Sequence, residues 1–448
     1  MSSLKLPINQ QLNVLKNEKA ISLHVPGHKN MTIGFLNQLD LKMDMTEITG
    51  LDDLHHPEEI ILESMQNINK HPDYDAYLLI NGTTSGILSV VQAFSSIKGK
   101  YLISRNVHKS VFHGIDIAQQ GADLMPMLQS NISHQYLSPN LKNLTVNNQK
   151  LAILTYPNYY GETYNINEIV EELHQYNVPI LVDEAHGAHF NLTRFPKSAL
   201  DSGADYVVQS YHKTLPALTM GSVLFIHKNA PLKEDVIRYL GYFQTSSPSY
   251  LVMASIELAH QFFETYETTL FFEKRTQFIN TLNNKGFDVI EVDDPSKLLI
   301  QYPGYSGYDI QTWFEQTHIY VELADEYQVL LILPLWHKDD TYPFDLLLKR
   351  IETITLPPKR KKEQATLPIT LEAGVYDSQH ISQTNWIELE DAIGKILAQH
   401  IIPYPPGIPI FLKGERMTKN MVKLMRYYLQ NGNRVEGINN GKILIKDE

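Results

Sequence analysis

Short apolar runs alternate with amphipathic stretches from about residue 61 to residue 230 of this chain. Tyr77–Ile80, Tyr101–Ser104, Leu151–Thr155, Ile180–Asp183, Tyr206–Gln209 and Ser222–Ile226 are rich in β-branched and aromatic residues and predict strands, with a helix near 58–70 leading in. Alternation of strand and helix signals predicts an α/β fold with a mainly parallel sheet covered by helices. Ligands of such sheets bind outside the carboxyl ends of the strands. Asn81, Asp183 and Ser210 stand at or just past predicted strand ends, where a site is expected.

The pattern differs on either side of this block. Residues 1 to about 60 hold few regular periods and read as an arm, with turns at Pro26-Gly27-His28-Lys29 and Gly50–Pro57. Leu251–Asn283 reads as one long helix with Ile256, Phe262 and Phe263 to one side. Strands near Phe287–Glu291, Leu298–Tyr302, Tyr320–Leu323 and Val329–Leu333 then alternate with helices near 308–316 and 343–353, predicting a smaller α+β domain. A basic linker follows at about 357–366; composition favours a solvated connection there over an anion-binding patch. Further on, Trp386–His400 has helical spacing, Pro403–Pro409 is rigid, and Val435–Ile445 reads as a hairpin turning at Asn440-Gly441. The expected division is an arm over 1–60, a large domain over 61–260 and a C-terminal α+β domain over 261–448.

Composition narrows the function classes. The 448 residues are 43% hydrophobic and 20% charged, and no apolar run reaches membrane-spanning length. With no cysteine, disulfides and thiolate chemistry are excluded. The formal charge of −12 argues against non-specific nucleic-acid binding. Met1–Pro7 lacks the apolar core of a secretory signal, so a cytoplasmic location is expected.

Lys213, in Ser210-Tyr211-His212-Lys213-Thr214, follows an apolar strand and reads as a Schiff-base lysine; alone it is equally a surface lysine. Asp183 ends the apolar run Pro179–Val182, and a buried carboxylate there needs a cationic partner. A pyridinium nitrogen would be one, which points to pyridoxal phosphate. Asn81-Gly82-Thr83-Thr84-Ser85-Gly86 joins a strand to an apolar helix-forming stretch, where backbone N–H groups and the Thr84 and Ser85 hydroxyls suit a phosphate. By itself such a turn is more often a plain helix cap, and it is no P-loop. His108, in Arg105–Ser110 after the next strand, is placed to lie flat on a pyridine ring. The histidines at 24, 28, 55, 56, 186 and 189 show no zinc-ligand spacing, so no metal is expected.

Together, Gly82–Ser85, Arg105–Ser110, Asp183-Glu184-Ala185-His186-Gly187, Ser210–Thr219 and Pro403-Tyr404-Pro405-Pro406-Gly407-Ile408-Pro409 resemble the ordered motifs of the ornithine/lysine/arginine decarboxylases. The resemblance runs from Pro26 to Pro409 and is to the short, biosynthetic-type branch without an N-terminal wing domain. It implies a fold-type-I pyridoxal-phosphate enzyme with the aspartate-aminotransferase architecture, a mainly parallel seven-stranded sheet in the large domain, and a homodimer or higher assembly. It further implies that Lys213 carries the cofactor, Asp183 meets the ring nitrogen, His108 stacks on the ring, and Ala185 and His186 line it. Thr84, Ser85, Ser210 and His212 would take the phosphate, while Thr245 and Ser246 would reach a partner's cofactor. His186 stands where some family members have Trp.

The implied reaction is decarboxylation of arginine, lysine or ornithine to an amine feeding polyamine synthesis, with His212 or Lys213 returning the proton to the α-carbon. Glu47, Asp52 and Asp53 are candidate carboxylates for the substrate's distal cation. An aminotransferase or aldolase of the same fold type is the alternative, because Lys213 and Asp183 report the cofactor and not the reaction. A third alternative is a pyridoxal-phosphate-binding protein without turnover.

Overall fold

The computed structural model describes residues 6–361, 369–378, 381, 383–403, 407–430 and 435–447. Tyr404, Pro405, Pro406 and the 362–366 part of the basic linker lie outside the described residues.

An eight-stranded sheet organises the large domain, in the order Gly374–Asp377, Gly121–Leu124, Lys100–Ile103, Gln149–Thr155, Ile180–Asp183, Tyr206–Gln209, Ser222–His227, Tyr74–Leu79. The five strands from Gly121–Leu124 to Tyr206–Gln209 run parallel, and the pairs at both edges are antiparallel. Burial on both faces explains the apolar runs. Leu102, Ala152, Leu154, Ile180, Val182 and Val207 enter one core, while their neighbours Tyr101, Leu151, Ile153, Leu181, Tyr206 and Val208 enter a second core on the opposite face. Each such aliphatic side chain contributes about 1.5–3 kcal/mol on burial. Seven of the strands come from residues 74–227; the eighth, Gly374–Asp377, returns from far along the chain and pairs with the edge strand Gly121–Leu124.

Beyond the large sheet, Asp288–Glu291, Lys297–Gln301, Val329–Ile332 and Leu323–Ala324 form a four-stranded antiparallel sheet. The arm is anchored to this region. Its strand Ile21–Leu23 pairs in parallel with Ile319–Val321, and the Tyr342 hydroxyl donates to Ser22 O at 3.0 Å. Thr384–Glu388, Lys442–Lys446 and Ile438–Asn439 make a third sheet beside the helix Lys419–Gln430. The expected hairpin is present: Asn439 faces Lys442 across Asn440 and Gly441, both at positive φ.

Two sequence expectations are corrected. The stretch Leu251–Asn283 is two helices, Tyr250–Thr265 and Thr269–Lys285. The chain turns extended at Tyr266, whose hydroxyl donates to Trp336 O at 2.9 Å, and the break lets Phe262 and Phe271 both enter the core. Trp386–His400 is no helix. Trp386 and Ile387 pair with Leu444 and Ile443, Leu389–Ala392 is a short 3-10 turn, and Gly394 adopts a φ of +85°. Strand pairing with a distant segment overrides the local period. Among the described residues, no helix is long and apolar enough to cross a membrane.

Candidate active site

The site forms at the carboxyl ends of the central strands. Asp183 closes its strand, Ser210 follows Tyr206–Gln209, and Lys213 lies in the one-turn helix Tyr211–Thr214 with its N–H donating to Ser210 O at 3.1 Å. The arm packs against this turn from behind. Gly27 N–H donates to His212 O at 2.7 Å, and a Cβ on Gly27 would lie 2.5 Å from Leu215 O, so only glycine allows the approach.

Lys213 Nζ stands 3.3 Å from His186 Nε2. Burial lowers the Lys213 pKa, opposed by the nearby charges of Asp183 and Glu322, so its amine is easier to deprotonate than a surface lysine. Asp183 is 5% exposed and accepts a single backbone hydrogen bond, from Ala185 N–H at 3.2 Å. Its pKa is raised by burial against the pull of Lys213. His186 is held neutral, its pKa driven well down by burial and by Lys213 and Lys297, and its ring packs on Tyr159 with centroids 4.4 Å apart. His108 caps the helix Lys109–Ile117: its Nδ1 accepts from Ser110 N–H at 3.3 Å, which fixes the ring. Burial, then Lys213 and Lys109, push its pKa down to about 3. His212 is likewise lowered to about 4 by burial and Lys213; its Nδ1–H donates to Gly221 O at 3.0 Å, leaving Nε2 with the lone pair.

The helix Gly82–Ala93 begins without a side-chain cap. Gly82 has a φ of +74° and nothing within 4 Å of the place a Cβ would take, so an open cradle faces the first N–H groups of the helix. Ser210 Oγ donates to Thr83 Oγ1 at 3.3 Å across this cradle, and both residues are buried. Thr84 is exposed, while the Ser85 hydroxyl donates back to Gly82 O at 2.8 Å.

Other expected residues lie further out. Thr245 and Ser246 are exposed, and Thr245 N–H donates to Asn81 Oδ1 at 3.2 Å, at the rim of the cradle. Glu47 is exposed. The Asp52 carboxylate accepts from the N–H groups of Asp53, Glu58, Glu59 and Ile61, and Asp53 accepts from His55 N–H. Among the described residues, no hydrogen bond or ion pair joins these three acids to Lys213, His108 or His186.

The structure adds residues that the sequence reading passed over. Tyr159 O–H donates to Glu322 Oε1 at 2.5 Å, and Glu322 Oε2 accepts from Val25 N–H at 2.9 Å, so this carboxylate joins the arm, the large domain and the second sheet. Behind the site, Lys70 Nζ donates to Ala188 O at 2.5 Å and Gln209 Oε1 at 2.9 Å, and lies 4.4 Å from the centre of the Tyr211 ring. Gln209 in turn donates to the fully buried Glu184 at 2.6 Å. Of these only Glu184, inside the Asp183–Gly187 run, and Thr83, inside the phosphate-loop run, had a signal in the sequence.

A family model described as the Orn/Lys/Arg decarboxylase major domain matches residues 6–285, more than half of the chain, and the C-terminal domain of the same family matches residues 362–440. The chain belongs to the Orn/Lys/Arg decarboxylase family. Among its relatives, the uncharacterized protein YaaO of Bacillus subtilis is 36% identical over 97% of this chain and 96% of that protein. The arginine decarboxylase of the same organism is 30% identical over 98% of this chain and 96% of its own length. The structure of the Escherichia coli constitutive lysine decarboxylase superposes with a TM-score of 0.70 at 18% identity, covering 99% of this chain and 82% of that one. The decarboxylase is therefore a fold-type-I pyridoxal-phosphate enzyme that acts on a basic amino acid.

The residues present fit that cofactor. Among the described residues, Asp183 is a buried carboxylate that accepts one hydrogen bond, the Gly82 Cβ position is open, and Asn106 Oδ1 and His186 Nδ1 are buried polar atoms without a partner. A charged ring and a phosphate supply what those groups lack.

Proposed function

We propose that this decarboxylase takes arginine ahead of lysine and ornithine, and that Lys213 and Asp183 are the residues on which the reaction turns. The observation that carries the proposal is the pairing of a Lys213 amine of lowered pKa with a buried, under-bonded Asp183 at the strand ends of a chain of this family. The arginine preference rests on the full-length relative that bears that name.

In this reading Lys213 Nζ would hold the cofactor, Asp183 would serve its ring nitrogen and His108 its ring. The N–H groups of Thr84 and Ser85, with Ser210, would hold the phosphate, which His212 would join only with Nε2 protonated, and Ala185 and His186 would line the ring. When bound, pyridoxal phosphate supplies an electron sink for the bond to the α-carboxylate. Asp183, anionic beside a cationic nitrogen, keeps that nitrogen charged. Lys213 Nζ returns the proton to the α-carbon. His212 is the poorer acid: its Nδ1–H is spent on Gly221 O, and a pKa of about 4 leaves Nε2 unprotonated at neutral pH.

We further propose a homodimer in which exposed Thr245 and Ser246 reach the partner's cofactor, a cytoplasmic setting, and an amine product that feeds polyamine synthesis. The test is direct. Protein loaded with pyridoxal phosphate is incubated separately with arginine, lysine and ornithine, and the amine is identified by mass, with Lys213→Ala as the control. Agmatine formed fastest, and no product or cofactor absorbance band from the control, is the expected result. A faster lysine or ornithine reaction removes the arginine preference, and turnover by Lys213→Ala removes the role of Lys213.

A further inference from the structure

Lys297 opens the strand Lys297–Gln301 and is 0% exposed. Its stem crosses the backbone of Gly161, where a Cβ would stand 2.7 Å from Lys297 Cδ, so glycine clears the passage by which this side chain enters. Asp294 N–H donates to Gly161 O at 2.9 Å and Lys297 N–H donates to Asp294 O at 3.0 Å, which ties the two segments together. The ammonium donates to Tyr159 O at 3.0 Å.

That one acceptor does not satisfy it. An ammonium carries three donors. The charges that attract it belong to Asp294 and Glu322, yet among the described residues neither forms an ion pair with it. Asp294 Oδ1 is paired with His189 at 2.9 Å and accepts from Ser296, its buried Oδ2 makes no hydrogen bond among the described residues, and Glu322 accepts from Tyr159 and Val25. A fully buried cation with open donors is costly unless a ligand completes it.

Its position says which ligand. Tyr159, whose carbonyl takes the ammonium, packs on His186, and His186 meets Lys213 Nζ. The charges of Lys213 and Lys297 both act on His186. A substrate amino group that takes the place of Lys213 Nζ, releasing that amine, carries its carboxylate on the adjacent α-carbon, two bonds away. We propose that Lys297 binds the substrate's α-carboxylate and so selects amino acids over amines, an inference that rests on the decarboxylase reading of this site. When the bond from the α-carbon to the carboxylate breaks, its electron pair stays with that carbon and takes up a proton, and neutral CO₂ departs. Lys297 then loses its counter-charge, and the product amine is held by one contact fewer than the substrate.

Lys297→Met keeps the stem over Gly161 and removes the charge; Lys297→Arg restores it. The measurements are KM and kcat with arginine, and spectral titration of the cofactor-loaded protein with agmatine and with α-methylarginine. For Lys297→Met we expect KM and the α-methylarginine dissociation constant to rise about tenfold or more, the loss of one charge-assisted hydrogen bond, with agmatine binding unchanged and partial recovery in Lys297→Arg. Equal weakening of the amine and the amino acid, or no change in either, overturns the proposal. Should methionine unfold the chain, Lys297→Gln, which retains a donor for Tyr159 O, is read by the same ratio. If the wild type decarboxylates none of the three amino acids, the substrate reading fails, while the titration ratio still reports on Lys297.

Discussion

At the scale of single residues, neighbours decide what a charged side chain is for. Asp52 looked like a substrate carboxylate in the sequence because it sits in an acidic arm segment; in the fold it accepts from four backbone N–H groups around the start of the helix Ile60–Asn67. Those bonds hold its pKa below the ordinary value against partial desolvation. Asp52→Ala is therefore expected to lower stability by about 0.5–2 kcal/mol, the usual cost of losing a helix cap, and to leave the ranking of basic substrates unchanged. Denaturant melts and a substrate panel on the same variant check both halves. Lys213, Asp183 and His108 were legible because each follows an apolar run whose end can be read locally. Tyr159, Glu322 and Lys297 were not, since nothing in their own segments marks them; Tyr159 reaches Lys213 through His186, and Glu322 and Lys297 reach Tyr159 through contacts spanning more than a hundred residues of sequence.

At the scale of elements, the two turns that carry Asp183 and Lys213 are braced from behind. Lys70, just past the helix Ile60–Asn67, donates to Ala188 O after the first turn and to Gln209 before the second, and Glu184 receives Gln209, Ser198 Oγ and Ala199 N–H. Burial brings the Lys70 pKa down to about 7 and raises that of Glu184 to about 7, so neither charge is held by solvent. Lys70→Met is expected to cost about 2 kcal/mol or more of stability, two hydrogen bonds from a charged donor, and Lys70→Arg less. Chemical denaturation of the apo protein reads the difference; equal stability of wild type and Lys70→Met would remove the brace. The sequence pattern placed the strands ending in these turns to within a residue or two, yet it fused Tyr250–Thr265 with Thr269–Lys285 and made a helix of Trp386–His400. Both errors have one source: local periodicity ranks helices by their own side chains, while the break at Tyr266 and the strand at Trp386 are set by partners elsewhere in the fold.

Across the whole molecule, buried neutral histidines set the acid response. Burial leads in lowering His28, His212, His260 and His400 to about 4 and His108 to about 3, all from an ordinary 6.5. Below pH 6.5 the unfolded chain takes up protons that the folded chain refuses, so the stability these five contribute is complete above pH 6.5 and is lost as pH falls toward 4. The carboxyl groups of Glu184, Asp183 and Asp325, raised by burial, act in the opposite sense, while His24, His113 and His186, also lowered by burial, add to the loss. The melting temperature of the apo protein is expected to fall steadily between pH 6.5 and 4, and a flat profile across that window would contradict the burial of these imidazoles. By itself the sequence determined the strand–helix alternation of a mainly parallel sheet and the strand ends at or just past which Asn81, Asp183 and Ser210 stand, because hydrophobic period is a local property. Only the tertiary structure decided that Asp52 accepts from the backbone at the start of Ile60–Asn67, that Gly374–Asp377 joins the large sheet, and that Lys297 threads past Gly161 to Tyr159 O, because each depends on which segments burial brings together.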